Sequence, residues 1–185
     1  MEHGAKMVNI NNEECITSLD MEQFQNDAQK ILTLMGYKDF DLGILLTDNQ
    51  AIQCFNRDFR SKDEPTDILS FPFHPDLQAG QAIVAETEDD KNVGDLIISL
   101  EYIKELCEQE NKTINEHLRT LLCHGICHLL GYDHYTESTD KVMKEKKRGC
   151  SKKSTWSAPL NFITSTERVL FSLQNFFLSS APLRP

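Results

Sequence analysis

The sequence predicts an α+β protein, in which a small mixed β-sheet of about four strands packs against helices. Apolar runs of strand length alternate with segments whose apolar residues recur at helical spacing. Strands that are separated by helices favour some parallel pairing. A histidine-rich segment also has the spacing of a helix that ends at a glycine. We expect strands at 7–10, 40–47, 68–73 and 96–100, and helices at 20–35, 48–59, 101–110, 113–130 and 137–147.

Capping residues set the predicted helix ends. Asp20 and Asp48 each precede a helical segment, where an Asp side chain can accept hydrogen bonds from the first backbone N–H groups. Thr113 begins the pattern T-I-N-E, which is typical of a capping box. Gly36 and Gly149 are expected to end the first and last helices, because glycine favours helix termination.

The charge distribution divides the chain near residue 147. Residues 1–147 contain 14 Lys and Arg against 28 Asp and Glu, a balance of −14, whereas residues 148–185 contain 5 against 1, a balance of +4. We predict one folded domain at 1–147 and a divergent tail at 148–185 that is disordered or weakly helical. The acidic body argues against tight binding of free nucleic acid, since such binding depends on Lys and Arg.

Cysteine usage and hydropathy indicate the compartment. The six cysteines show no disulfide-like rhythm, so we expect a reducing environment and a cytoplasmic location. A mitochondrial location stays open for a eukaryotic source, although the first thirty residues contain no Arg, unlike a transit peptide. The chain has no apolar run of membrane-spanning length, so no membrane association is expected.

Three histidines, His124, His128 and His134, carry the clearest chemical signal. His124 and His128 are four residues apart, so a helix presents both imidazoles on one face, as two ligands of one metal ion require. Gly131 can end this helix and let the chain bring His134 back toward them. Three imidazoles and one open position are typical of a catalytic zinc site. We therefore predict one Zn²⁺ per chain on a zincin-like HxxxH helix, with nickel and cobalt fitting nearly as well.

The spacing H-x-x-x-H-x-x-G-x-x-H also matches the metzincin peptidases. Those enzymes carry Glu directly after the first histidine, where it acts as the general base. Here that position is Gly125. A peptidase interpretation therefore lacks its base.

The segment H-G-I-C-H-L-L-G-Y-D-H at 124–134 resembles the signature of the YbeY family, the zinc-dependent single-strand endoribonucleases of ribosomal RNA maturation. Two further stretches are similar to family motifs. Residues 56–73 contain the Arg-bearing segment that ends in P-T-D-I-L-S-F-P-F, and residues 94–99 read G-D-L-I-I-S. The resemblance runs from about residue 39 to about residue 146.

This resemblance implies an α+β fold, zinc on the three histidines, and a catalytic role for Arg60. A guanidinium can bind a phosphate through two hydrogen bonds, and Arg57 is the alternative cation. The implied substrate is single-stranded RNA, including rRNA, in ribosomal RNA processing and ribosome quality control. The implied partner is the small ribosomal subunit or one of its proteins, and no DNA is expected. The metal would lie at one end of a cleft between the histidine helix and the segment that holds Arg60.

Other residues near the motif have less specific interpretations. Cys123 and Cys127 share a helix stripe, but about 100° from the histidines, so we interpret them as small buried residues. His117 lies two turns before His124, too far to be a ligand, and is expected to be exposed. Asp133 could orient a ligand imidazole or face water. A basic cluster could follow an RNA backbone or simply be a solvated helix end; it comprises Lys141, Lys144, Lys146, Lys147, Arg148, Lys152 and Lys153.

Three function classes therefore remain after the sequence is considered: a metal-dependent endoribonuclease, a peptidase-like hydrolase, and a non-catalytic ribosome-assembly factor stabilised by zinc. The metal site follows from the residues themselves, whereas the RNA specificity follows from the family resemblance.

Overall fold

The computed structural model describes residues 8–12, 19–133 and 137–153. Four strands and five helices lie within these ranges, so the α+β prediction is confirmed. The elements in chain order are β1 Val8–Asn12, α1 Met21–Met35, β2 Asp41–Thr47, α2 Asn49–Arg60, β3 Ile68–Pro72, β4 Asn92–Ser99, α3 Leu100–Glu110, α4 Ile114–Leu129 and α5 Glu137–Lys153.

The sheet is mixed, as predicted, with the strand order β1-β2-β4-β3. β1 and β4 pair in parallel with the central β2, and β3 pairs antiparallel with β4. The two parallel connections contain helices, which is how the interleaved sequence pattern arises. β1 and β3 form the two edges of this sheet.

Side chains along β3 and β4 alternate between the two faces of the sheet, and this alternation shows that α4 and α2 pack on opposite faces. A Cβ at Gly125 of α4 would meet the side chains of Ile68 and Leu96. On the other face, Ile52 of α2 packs in a core cluster with the next residue of each strand, Leu69 and Ile97. Successive side chains of a strand point to opposite sides, so the histidine helix and the arginine helix have the sheet between them.

The predicted caps are present. The carboxylate of Asp20 accepts a hydrogen bond from the N–H of Gln23 at 2.9 Å, and that of Asp48 accepts one from the N–H of Ala51 at 2.7 Å. Thr113 caps α4. Local hydrogen bonding therefore determines where these helices begin.

Two predicted boundaries are wrong. α5 continues through Gly149 to Lys153, and a Cβ at Gly149 would meet no atom within 4 Å. A single glycine costs a helix only about 1 kcal/mol, so it does not have to end one. β4 begins at Asn92 rather than near 96, because Gly94, with φ of +123°, lets the strand continue through an irregular register with β2.

The predicted tail at 148–185 overlaps α5 as far as Lys153, and its remainder lies outside the described residues. The division into a domain at 1–147 and a separate tail stays a prediction. Across the part of the chain that the structure describes, no helix is both long and apolar enough to cross a bilayer.

Candidate active site

The C-terminal half of α4 brings the two helical histidines together. The Nε2 atoms of His124 and His128 are 3.1 Å apart, and their rings meet edge to face with centroids 4.5 Å apart. Two imidazole nitrogens in a tetrahedral zinc site, each about 2.05 Å from the metal, would be about 3.3 Å apart. The two nitrogens therefore converge with nearly the separation that a shared metal ion requires.

The backbone after His128 forms the turn that the motif predicts. Tyr132 N–H donates to the carbonyl of Cys127 and Gly131 N–H donates to that of His128, both at 3.0 Å. Gly131 has φ of +75°, and a Cβ there would overlap the carbonyl oxygen of Leu77. This is a Schellman ending, and only glycine fits its left-handed position.

The third predicted ligand, His134, lies outside the described residues. Within 8–12, 19–133 and 137–153, no group of three or more His, Cys, Asp or Glu side chains is arranged to hold a metal ion. The helical half of the site thus has suitable geometry, and the complete three-histidine centre stays a prediction.

Lys147 of α5 approaches His124 on its other ring nitrogen. Lys147 Nζ is 3.3 Å from His124 Nδ1, and burial lowers the pKa of the Lys147 amine. A metal held by Nε2 leaves a proton on Nδ1, and that N–H needs an acceptor. A neutral amine could accept a hydrogen bond from this N–H, whereas an ammonium can only donate one. Sequence analysis placed Lys147 in a basic cluster and missed this contact, because no local pattern links the two residues.

Gly125 faces the sheet and not an open pocket. A Cβ at this position would be 2.7 Å from Ile68 Cδ1 and 2.8 Å from Leu96 Cδ2. Leu96 is fully buried and Ile68 nearly so. A side chain at the position that carries the catalytic Glu in metzincins would therefore have to displace the buried side chains of Ile68 and Leu96.

Arg60 is the last residue of α2, on the opposite face of the sheet from α4. Both helices nevertheless end at the same end of the sheet. Phe59 packs on Phe71, near the end of β3, with ring centroids 5.2 Å apart. Gly131 lies against Leu77, five residues after β3. The predicted cleft between the two segments would therefore have to pass around the β3 edge strand.

Comparison with known proteins identifies the family. A family model described as Endoribonuclease YbeY matches residues 9–154. The chain belongs to the YbeY family. Its curated relatives include Endoribonuclease YbeY of Homo sapiens, 37% identical over 139 residues that cover 75% of this chain and 83% of the human protein. The YbeY protein of Fusobacterium nucleatum is also 37% identical, over 71% of this chain and 79% of its own length.

The fold agrees with a solved structure. A solution structure of a protein from Thermotoga maritima superposes with a TM-score of 0.50 at 22% identity, covering 83% of this chain and 100% of that one. The family model matches from residue 9 to residue 154, whereas the motif resemblance runs only from about residue 39 to about residue 146. The match therefore includes all of α5.

Cys123 and Cys127 of this YbeY-family chain are both buried, as predicted for small core residues. The basic cluster on α5 is not a uniform cationic surface. Lys144 pairs with Asp140 at 2.8 Å, and Lys146 lies 5.7 Å from the centre of the Tyr132 ring. These contacts favour the interpretation of a solvated helix end over an RNA-following stripe.

Sequence analysis missed a buried polar pair, Asp67 and His117. His117 was expected to be exposed, but its Nε2 atom is buried and has no hydrogen-bond partner. Asp67 Oδ2 is likewise buried without a partner, while Oδ1 accepts from the N–H of Ile68 at 2.8 Å. Burial raises the pKa of Asp67 and lowers that of His117. The charge of each group partly offsets the pKa shift of the other. Asp67 directly precedes β3 and His117 lies on α4, so each group senses the charge of the other from a different element.

Proposed function

We propose that this chain is a metal-dependent endoribonuclease that cleaves single-stranded RNA in ribosomal RNA processing and ribosome quality control. The proposal places it in a reducing compartment, with the small ribosomal subunit as its partner. Family membership supports an endoribonuclease. The observation that carries the metal dependence is the 3.1 Å approach of the two Nε2 atoms of His124 and His128.

Each element of the site has a separate role in this proposal. His124, His128 and His134 would hold a zinc ion, which when bound supplies Lewis-acid activation of the phosphodiester. Arg60 binds a phosphate oxygen through its guanidinium and offsets the negative charge that develops during cleavage. The Schellman ending at Gly131 sets the direction in which the chain leaves α4 toward His134.

The structure gives the peptidase alternative little support. Gly125 packs against Ile68 and Leu96, so the base of a metzincin has no equivalent at that position. A non-catalytic assembly factor would use the same zinc only to hold the end of α4, and activity measurements separate this class from the nuclease.

The test uses the purified full-length chain with a labelled single-stranded RNA oligonucleotide, the same sequence as a duplex, and casein. Each substrate is incubated with wild type, chelator-treated protein, zinc-restored protein and His128→Ala. We expect cleavage of single-stranded RNA that chelation abolishes and zinc restores, and no cleavage by His128→Ala. Casein cleavage without RNA cleavage would support the peptidase, and zinc binding without either activity would support the assembly factor.

A further inference from the structure

Three phenylalanines form a connected aromatic cluster on the α2 face of the sheet. The rings of Phe55 and Phe59 are stacked, with centroids 6.3 Å apart and an interplanar angle of 19°. Phe59 meets Phe71 of β3 edge to face at 5.2 Å and 76°. Phe59 is nevertheless 61% exposed. We call these three residues the Phe59 platform.

The amphipathic stripe of α2 explains how an exposed ring is held in place. Ile52, Phe55 and Phe59 follow the i, i+3, i+7 spacing of one helix face. Ile52 is fully buried against the sheet, Phe55 is partly buried, and Phe59 extends the stripe beyond the core. The two neighbouring rings restrict Phe59, so a ligand that stacks on it loses little additional side-chain entropy.

Two arginines of α2, Arg57 and Arg60, flank Phe59 in the sequence. The segment 56–64 contains three cations, Arg57, Arg60 and Lys62, and three carboxylates, so it is neutral within a domain whose overall balance is −14. Arg57 bonds to Asp58 at 3.0 Å, and its side chain is still 51% exposed. An exposed aromatic ring on an element that also carries arginines is a combination used to bind unpaired bases and their phosphates.

We propose that the Phe59 platform is a base-stacking subsite for single-stranded RNA, in which an unpaired base stacks on Phe59 while the adjacent phosphates contact the cations of α2. This inference rests on the proposed function, because it names how the same substrate is bound. Stacking requires an unpaired base, since bases in a duplex are already stacked on each other. The subsite would therefore contribute to a preference for single strands without strong sequence selectivity.

The position of the platform also suits a substrate that passes around the β3 edge. Phe71 joins the platform to β3, the edge strand that separates α2 from α4. Both helices end near the end of this strand, so an RNA held at Phe59 on one face can extend toward the histidines on the other.

The test compares Phe59→Leu, which keeps an apolar side chain, with Phe59→Trp, which keeps a stacking ring. Phe73→Leu is the matched control, because Phe73 is also an exposed phenylalanine, 48% exposed, but its ring contact is with His74 outside the platform. The full-length proteins are assayed for Kd, KM and kcat with a single-stranded RNA oligonucleotide. Photo-crosslinking of the same RNA carrying 5-iodouridine, mapped by mass spectrometry, shows whether a base contacts Phe59.

We expect Phe59→Leu to raise Kd and KM about tenfold with little change in kcat, and Phe59→Trp to restore binding. Phe73→Leu should bind like wild type, and the crosslink should map to Phe59. Wild-type Kd in Phe59→Leu, or equal losses in Phe59→Leu and Phe73→Leu, would overturn the subsite. The subsite would also be overturned if Phe59→Leu bound RNA like wild type but no longer bound the small ribosomal subunit. The platform would then be a protein-docking surface.

The two proposals fail in different ways. If wild type binds RNA through Phe59 but does not cleave it, the subsite stands and the nuclease proposal fails. If wild type shows metal-dependent cleavage that Phe59→Leu leaves unchanged in Kd and KM, the nuclease stands and the subsite fails.

Discussion

The histidine helix α4 and the arginine helix α2 lie on opposite faces of one sheet and are built in contrasting ways. Nine of the 16 residues of α4 are buried, including His124, whereas α2 buries only Ile52 and Asn56 of its 12. Of the predicted metal ligands, His124 is therefore part of the folded core, while the predicted RNA contacts lie on a mostly exposed helix. Substitutions on α4 should change stability, and substitutions on α2 should change substrate binding.

The largest expected effect comes from a bulkier side chain in α4, which should destabilise the fold. Gly125→Val would place methyl groups where even a Cβ is within 2.8 Å of Leu96 and Ile68. We expect a loss of about 3 kcal/mol in the free energy of unfolding, measured by urea titration. Gly149→Val is the matched control, because a Cβ there meets nothing within 4 Å, and it should be nearly neutral. Equal effects of the two substitutions would show that α4 is not closely packed on the sheet.

Arg60→Lys tests the other side of the contrast. The substitution keeps the charge but removes the planar fork, so we expect kcat/KM on single-stranded RNA to fall about 30-fold, which corresponds to about 2 kcal/mol. Zinc content and the urea midpoint should stay at wild-type values. Arg148→Lys, on α5, is the control. Normal cleavage by Arg60→Lys, with a loss in Arg57→Lys, would transfer the phosphate contact to Arg57.

The buried carboxyl of Asp67 gives a smaller effect whose size depends on pH. Burial raises the pKa of Asp67 above its ordinary 3.8, so the ionised carboxylate destabilises the fold and stability falls as the pH rises through the folded-state value. In Asp67→Asn a neutral amide replaces a buried carboxylate whose Oδ2 has no hydrogen-bond partner, so burial no longer opposes a negative charge. We expect Asp67→Asn to be about 1 kcal/mol more stable than wild type near neutral pH.

Urea titrations of both proteins between pH 4 and pH 8 test this sign. The advantage of Asp67→Asn should shrink toward pH 4, because the raised pKa favours the protonated carboxyl in the folded state and the unfolded-state carboxyl is close to its ordinary pKa of 3.8. His117 has the opposite dependence, because its lowered pKa costs stability as the pH falls below its ordinary 6.5. The Asp67 charge opposes this lowering, so the cost at low pH should be larger in Asp67→Asn and should further reduce its advantage there. A destabilised Asp67→Asn at neutral pH would mean that the ionised carboxylate has a partner.

The features that could be predicted from sequence are those that local chemistry determines. Asp20 and Asp48 cap helices through hydrogen bonds within three residues, and His124 and His128 converge because four helical residues make one turn. Gly131 is required by the turn that follows them.

Features that depend on long-range packing were not predictable. Nothing local links Lys147 to His124, and nothing local predicts the burial of the polar atoms of Asp67 and His117; both features form only when separate elements pack together. The same reason explains why the sequence did not indicate that Arg60 and the histidines lie on opposite faces. At Gly149 a local signal gave a wrong prediction. The glycine was expected to end the helix, but α5 continues past it to Lys153.

The metal content of purified protein tests the central claim most directly. We expect about one zinc per chain in wild type and loss of zinc in His124→Ala, His128→Ala and His134→Ala, because two imidazoles hold zinc more weakly than three. The control, His74→Asn, removes a histidine whose Nε2 lies 3.0 Å from the carbonyl oxygen of Asp90, and it should keep full zinc content. Full zinc occupancy in His128→Ala would contradict the account, because the converging pair on α4 would then not hold the metal.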